Sequence, residues 1–353
     1  MAVSASGQPA HFRPRRVLEV SVGVASVALV FVYLLPKIAD YGQVWAVVGT
    51  LSLPWIVVLA VASALFILSD APPWLTVLPG LRFFDALRMD LAGSALSQVV
   101  PGGTAVNVAT QYGMLRNWGF QGRPVVLAVS VTTLWSQFAT FGFPVLAITA
   151  LSLDGGHDPT LRKVAVAGLV VVAALAGVLV AILWRPRLAD RLGDSAAGVA
   201  TRLNAIVHKG PARWSGADLV RFRSEAIDLL RHRWAALTVA TLVNQLTVFA
   251  VLVVSLRAFG ITRPEVDVIE AFAAWSLSRA LGSIPITPGG LGVQEVALSA
   301  ALVGFGAHNA VAVAATLVYR ALTFIPSVVL GLVSAATYNL GRPQPHVAPE
   351  GQP

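Results

Sequence analysis

The sequence predicts an all-α polytopic membrane protein. It should have about six full transmembrane helices plus two oppositely inserted re-entrant helical hairpins, in a pattern compatible with an inverted repeat. Three observations predict it. First, 56 % of the 353 residues are hydrophobic and only 12 % charged, with mean hydropathy +0.74, whereas a soluble domain carries about 25 % charged residues. Second, several windows approach or exceed the roughly 20 apolar residues needed to cross a bilayer. Third, two long apolar segments are each interrupted by a Pro-Gly-Gly string.

Residues 1–16 read as a cytoplasmic tail, and 17–340 as one integral membrane domain. Val17–Leu35 follows arginines, as a signal peptide would, but the run is longer than a signal h-region and no A-x-A site follows. It is expected to be an uncleaved first span. Leu51–Ser69 is the second. Phe84–Leu115 is apolar but broken at "VVPGGTAVN" (99–107). Pro124–Leu153 and Val164–Trp184 follow as spans.

The 185–233 segment is the one sizeable polar part, expected as a cytoplasmic loop. Leu188, Leu192, Val199, Leu203 and Ile206 share one helical face, and Leu219, Phe222, Ala226, Leu229 and Leu230 another. Two readings stand: amphipathic helices resting on an anionic leaflet, or a small loop domain packed on itself. Trp234–Leu256 is the next span. Ala271–Gly306 is broken at "SIPITPGGLGVQE" (283–295), and Asn309–Tyr338 closes the bundle. The Pro-rich tail, 341–353, is expected to be disordered.

Net charge +8 fits a loop asymmetry better than nucleic-acid binding, because the basic residues lie between apolar spans. With both broken segments returning to their own side and the N-terminus cytoplasmic, eighteen basic residues fall inside and five outside, as the positive-inside rule expects. Both termini are then cytoplasmic. Arginine outnumbers lysine 22 to 3, a composition that hints at a GC-rich bacterial genome and hence an inner membrane. The first hairpin enters from the cytoplasm and the second from outside, as in inverted-repeat transporters.

Several chemistries are excluded or find no motif. There are no cysteines, so disulfide and thiol chemistry are out. Six scattered histidines show no metal-ligand spacing. "GGLG" follows no strand, so it is no nucleotide loop. No Ser/His/Asp arrangement or Walker motif appears, so no enzyme activity, cofactor or metal is expected.

The candidate site is therefore drawn from the breaks and the buried polar residues. Non-helical backbone at membrane depth survives only within protein or beside water. Pro101, Gly102 and Gly103 align with Pro288, Gly289 and Gly290 as two hairpin tips. The helix after Gly292 presents free N–H groups suited to an anion. An ionisable group at a helix centre costs roughly 2.5–3.5 kcal/mol on insertion scales, so Arg279, Glu295 and Arg320 need partners or water. They either form a structural ion pair, or at least one arginine faces a lipid phosphate. Polar stripes on three spans add Gln137 and Gln245, and Asn107 follows the first break. Each hydroxyl or amide in those stripes could equally hold two helices together.

At "TPGGLGVQEVAL" (287–298) and "YRALTFIPSVVLGL" (319–332), the chain resembles the lysylphosphatidylglycerol synthase transmembrane-region family, also called flippase-like integral membrane proteins. The resemblance runs from about Arg16 to Leu340 and includes "YGMLRNWGF" (112–120). It implies a bundle with re-entrant helices that moves phospholipids or glycolipids between leaflets. Pro288, Gly289, Gly290, Gly292, Glu295 and Arg320 match the family pattern. After the first break, relatives carry a charge where this chain has Asn107 and Gln111. The synthase's soluble aminoacyl-transfer domain is expected to be absent, since this chain ends at Pro353.

The leading expectation is a lipid flippase with a polar central cavity, its partners being membrane lipids. The alternatives are an accessory membrane subunit of an envelope glycosyltransferase or lipid-modifying system, and an intramembrane lipid-modifying enzyme using Glu295 as base.

Overall fold

A computed structural model describes residues 51–99, 103–154, 216–284 and 287–337 as continuous stretches, with the side chains at 99, 154, 216–223 and 288 left aside. The expected span Val17–Leu35, nearly all of Val164–Trp184, the 188–206 stretch, Pro101, Gly102 and the tail lie outside these residues.

Every described element is helical. Helix α1 (Leu53–Leu68) starts on Pro54 and stops where Ser69 Oγ donates to the Phe66 carbonyl. Pro72 has no N–H to continue the ladder, so the chain restarts as the short α2 (Pro72–Val77). Helices α3 (Phe83–Val99) and α4 (Gly103–Asn117) are the limbs of the first broken segment. Helix α5 (Gly122–Asp154) is a 33-residue rod with Pro144 inside it.

Helix α6 (Gly216–Ala258) corrects one sequence expectation. The face carrying Ala226, Leu229 and Leu230 does not form a separate surface helix. It runs without a break into the next span, 43 residues in all. Ala226 is buried, and Leu229 and Leu230 pack on a cluster containing Trp74, Met89, Leu115 and Trp118. That part of the segment rests on protein because the apolar face continues the face of the span beyond it.

Helix α7 (Val268–Gly282) opens on a capping box in which Asp267 and Glu270 each accept from the other's end of the turn. A 3₁₀ turn at Pro288–Gly290 leads to α8 (Val293–Gly304), and α9 (Asn309–Thr337) completes the order. Four stretches among the described residues are long and apolar enough to cross a membrane: Leu53–Val77, Gly122–Leu153, Ser224–Ala258 and Asn309–Thr337. They coincide with four of the expected spans.

The two hairpins pack reciprocally. Limb α3 lies along α9, the span that follows the second hairpin, and α7 lies along α5, the span that follows the first. The interval from Pro101 to Pro288 is also the interval from Gly122 to Asn309, the starts of α5 and α9. The two motifs thus head two structural units in the same register. A smaller correspondence agrees with this. Asn107 packs its amide against Gly93 in the first hairpin, and Gln294, at the matching position, packs against Gly282 in the second.

The core has two centres. One joins α2, α3, α4 and α5 around Trp74, Met89 and Trp118. The other is an aromatic cluster of Phe143, Phe249, Phe272 and Trp275, with ring centroids 5.2–5.8 Å apart. Contacts of this kind add roughly 0.5–1.5 kcal/mol beyond simple burial. They tie α5, α6 and α7 together beneath the second hairpin.

Candidate functional site

The second break is built by glycines. Gly289, Gly290 and Gly292 have φ of +62°, +66° and +83°, a region only glycine adopts without strain. Gly290 is the tightest, because a Cβ there would stand 2.5 Å from the carbonyl oxygen of Gly282. Gly290→Ala is expected to lower stability by about 1–3 kcal/mol through strain and overpacking. The check is a thermal melt in detergent against Gly304→Ala, where a Cβ meets open space.

Glu295 sits in the first turn of α8, on the side facing α9. Its Oε2 accepts the backbone N–H of Gly292 at 2.7 Å, and its Oε1 accepts Arg320 Nε at 2.6 Å. The Arg320 guanidinium stands over Phe324 at 5.6 Å, and its Nη2 reaches the Gly289 carbonyl at a long 3.5 Å. Side-chain exposure is 14 % for Arg320 and 7 % for Glu295, so the pair is largely desolvated. The carboxylate thus occupies the helix N-terminus that was expected to be open to an anionic headgroup.

Arg279 is different. It lies in the last turn of α7, half-buried, with its guanidinium 5.2 Å from the Trp275 ring. Among the described residues it makes no hydrogen bond or ion pair, and the Trp275 ring is its partner. Trp275 itself is fully buried and donates to the Tyr319 hydroxyl at 3.0 Å, so both aromatics serve packing.

The tip of the second break meets the end of α3. A Cβ on Gly289 would lie 3.3 Å from Gln98 Cγ, on the last turn of α3 just before the first break. Pro288 begins the 3₁₀ turn, and Gly103, with φ +43°, opens α4.

Beside the first hairpin lies a cavity of about 180 Å³ bounded by α3, α4, α5 and α6 with the α1–α2 junction. Two of the predicted residues, Asn107 and Gln137, line it. Gln245 does not; it is buried in α6 next to Asn244, which does. The stripe hydroxyls of Thr140, Thr238, Thr323 and Ser327 bond back to their own helices, and Thr238 also accepts from Trp135 Nε1 at 2.9 Å. Only Thr133 and Gln137 of those stripes reach the cavity.

The residues that dominate the cavity were not singled out from the sequence. Asp70 accepts from Asn244 Nδ2 at 2.7 Å, while Asp90 accepts from Trp74 Nε1 at 2.9 Å and Gln111 Nε2 at 3.1 Å. No cation bonds either carboxylate among the described residues. Both acids look like span-end residues in the sequence, Asp70 next to "APPW" and Asp90 two positions from Arg88. The available signal was that each lies within one turn of an apolar run, where an unpaired acid is expensive.

These features define a polytopic helical membrane protein with paired broken hairpins around a polar interior. A family model described as the lysylphosphatidylglycerol synthase TM region matches residues 18–331, and the chain belongs to that family. The family is one of membrane proteins in lipid modification or transport. No curated protein matches the chain significantly.

Proposed function

We propose that the chain is a lipid flippase, moving a phospholipid or glycolipid with an anionic headgroup between leaflets rather than catalysing a reaction. The observation that carries this reading is the cavity, a polar recess in a bundle whose outer faces are apolar. Intramembrane charges generally face a cavity or a pathway, and broken helices generally line transport sites. The limbs of the two hairpins have 17, 15, 15 and 12 residues. At 1.5 Å per residue they reach about 18–26 Å, short of the ~30 Å hydrocarbon core, which supports re-entrant hairpins.

Arg279, with no hydrogen-bonded partner among the described residues, is the guanidinium placed to receive a phosphate. The Glu295–Arg320 pair fixes the second tip. The bundle would lie in a bacterial cell membrane with both termini cytoplasmic. The test is movement of a fluorescent phospholipid in proteoliposomes, read by quenching from outside. Wild-type protein should accelerate exchange over protein-free vesicles, and Arg279→Gln should slow it about tenfold, the cost of a lost charge-assisted contact. No acceleration by folded wild-type protein across anionic phospholipids and glycolipids would overturn the reading.

A further inference from the structure

We propose that the cavity beside the first hairpin binds a hydroxyl-rich group, a sugar ring or a polyol. This deepens the flippase reading by naming what part of the headgroup enters the cavity.

The inference begins with the polar groups the fold leaves unused. Among the described residues, the hydroxyls of Thr104, Thr133 and Ser136 and the amides of Asn107 and Gln137 line the cavity and hydrogen-bond to nothing in the protein. Asp70 and Asp90 each commit Oδ1 to neutral donors and leave Oδ2 without one. Asn107 Oδ1 is a buried acceptor with no partner, a costly state, while Thr104 and Ser136 are exposed and Thr133 and Gln137 half-buried along the recess. The set is therefore open to something that enters.

The mixture of groups narrows what that is. A phosphate is disfavoured, because two carboxylates face it and no cation bonds to either. An ammonium would satisfy the acceptors but leave the Asn107 and Gln137 N–H groups idle, since it can only donate. A hydroxyl both donates to a carboxylate and accepts from an amide, and several on one ring would engage both kinds together.

Size and rigidity agree. A volume of about 180 Å³ leaves room for one sugar ring or a polyol. Trp74 and Gln111 hold Asp90, and Asn244 holds Asp70, so the acceptors are fixed before a ligand arrives, which lowers the ordering cost of binding.

The experiment is lipid retention by the full chain in phosphatidylcholine nanodiscs, read by native mass spectrometry. The probes are monoglucosyl diacylglycerol, phosphatidylinositol, phosphatidylglycerol, phosphatidylethanolamine and phosphatidic acid with matched chains. The hydroxyl-bearing lipids should be retained at least about tenfold better than the other two. Gln137→Leu and Ser136→Ala, which remove no internal hydrogen bond, should each cut that preference several-fold, and Asp90→Asn about tenfold or more. Glu295→Gln should keep the preference wherever it folds.

A second arm adds free myo-inositol and glucose and follows the fluorescence of Trp74 against a Trp74→Phe control. Saturation by the free polyol identifies a soluble source, and competition by lipid alone identifies the membrane. Equal retention of all probes, a preference for phosphatidylethanolamine, or an unchanged preference in both Gln137→Leu and Asp90→Asn would overturn the inference. A protein that flips lipids without this preference loses only the inference, and one that shows the preference without flipping loses only the flippase reading.

Discussion

Glu295→Ala is expected to destabilise the protein by about 3–5 kcal/mol, the usual cost of removing one partner from a buried ion pair. Two losses combine. Arg320, 14 % exposed, is left with no carboxylate inside the bundle, and the Gly292 N–H loses its acceptor at the start of α8. Arg320→Ala should cost a similar amount by stranding the carboxylate, although the Gly292 cap survives.

The double variant Glu295→Met/Arg320→Met should be far milder than the sum of the two single effects, because well-packed apolar replacements of buried pairs are often close to neutral. Denaturation in mild detergent of wild type, Glu295→Met, Arg320→Met and the double variant measures the coupling. A double variant as unstable as the two singles combined would show that the two side chains act separately. The same four proteins also separate structure from transport. If the pair only fixes the second tip, a folded double variant keeps its lipid exchange. If Arg320 also meets phosphate, exchange falls while stability does not.

That the pair would exist was partly legible in the sequence. Two opposite charges in apolar segments call for partners, and the glycines of "TPGGLG" announce backbone that no other residue can follow. The register was not legible. Nothing in one dimension says that Arg320, rather than Arg279, meets Glu295, because the choice depends on how α9 is rotated against α8. Arg279 lies on the other limb of the same hairpin, and its guanidinium is drawn over Trp275 instead.

The cavity shows a deeper limit. Gln137 is legible as a polar residue on an apolar face, and Asn107 as the polar residue after the first break. Asp70 and Asp90 are not, because an acid at the end of a hydrophobic run is the normal way for a span to meet water. Only the fold turns both inward, through the Pro72 restart after α1 and the return of α3 into the bundle. Span positions were legible because they depend on length and hydropathy. The fate of Leu229 and Leu230 was not, since an amphipathic face is the same whether lipid headgroups or protein cover it.

Gly331→Leu is expected to abolish assembly of the bundle, and Gly331→Ala to cost about 3 kcal/mol, the upper part of the range for overpacking. Gly331 lies where α9 crosses α3, and a Cβ there would collide with the Leu91 carbonyl and with the Ala95 methyl. Backbone cannot retreat as a flexible side chain can, so the two helices must part along the contact that joins the first hairpin to the span after the second. Helix propensity pushes the other way, since alanine is favoured over glycine by roughly 1 kcal/mol in a helix interior. Gly142→Ala, with open space around its Cβ, isolates that gain and should leave the melting temperature unchanged or raised. If Gly331→Ala melted like Gly142→Ala, the close approach of α3 and α9 would be wrong, and with it the reciprocal packing of the two hairpins.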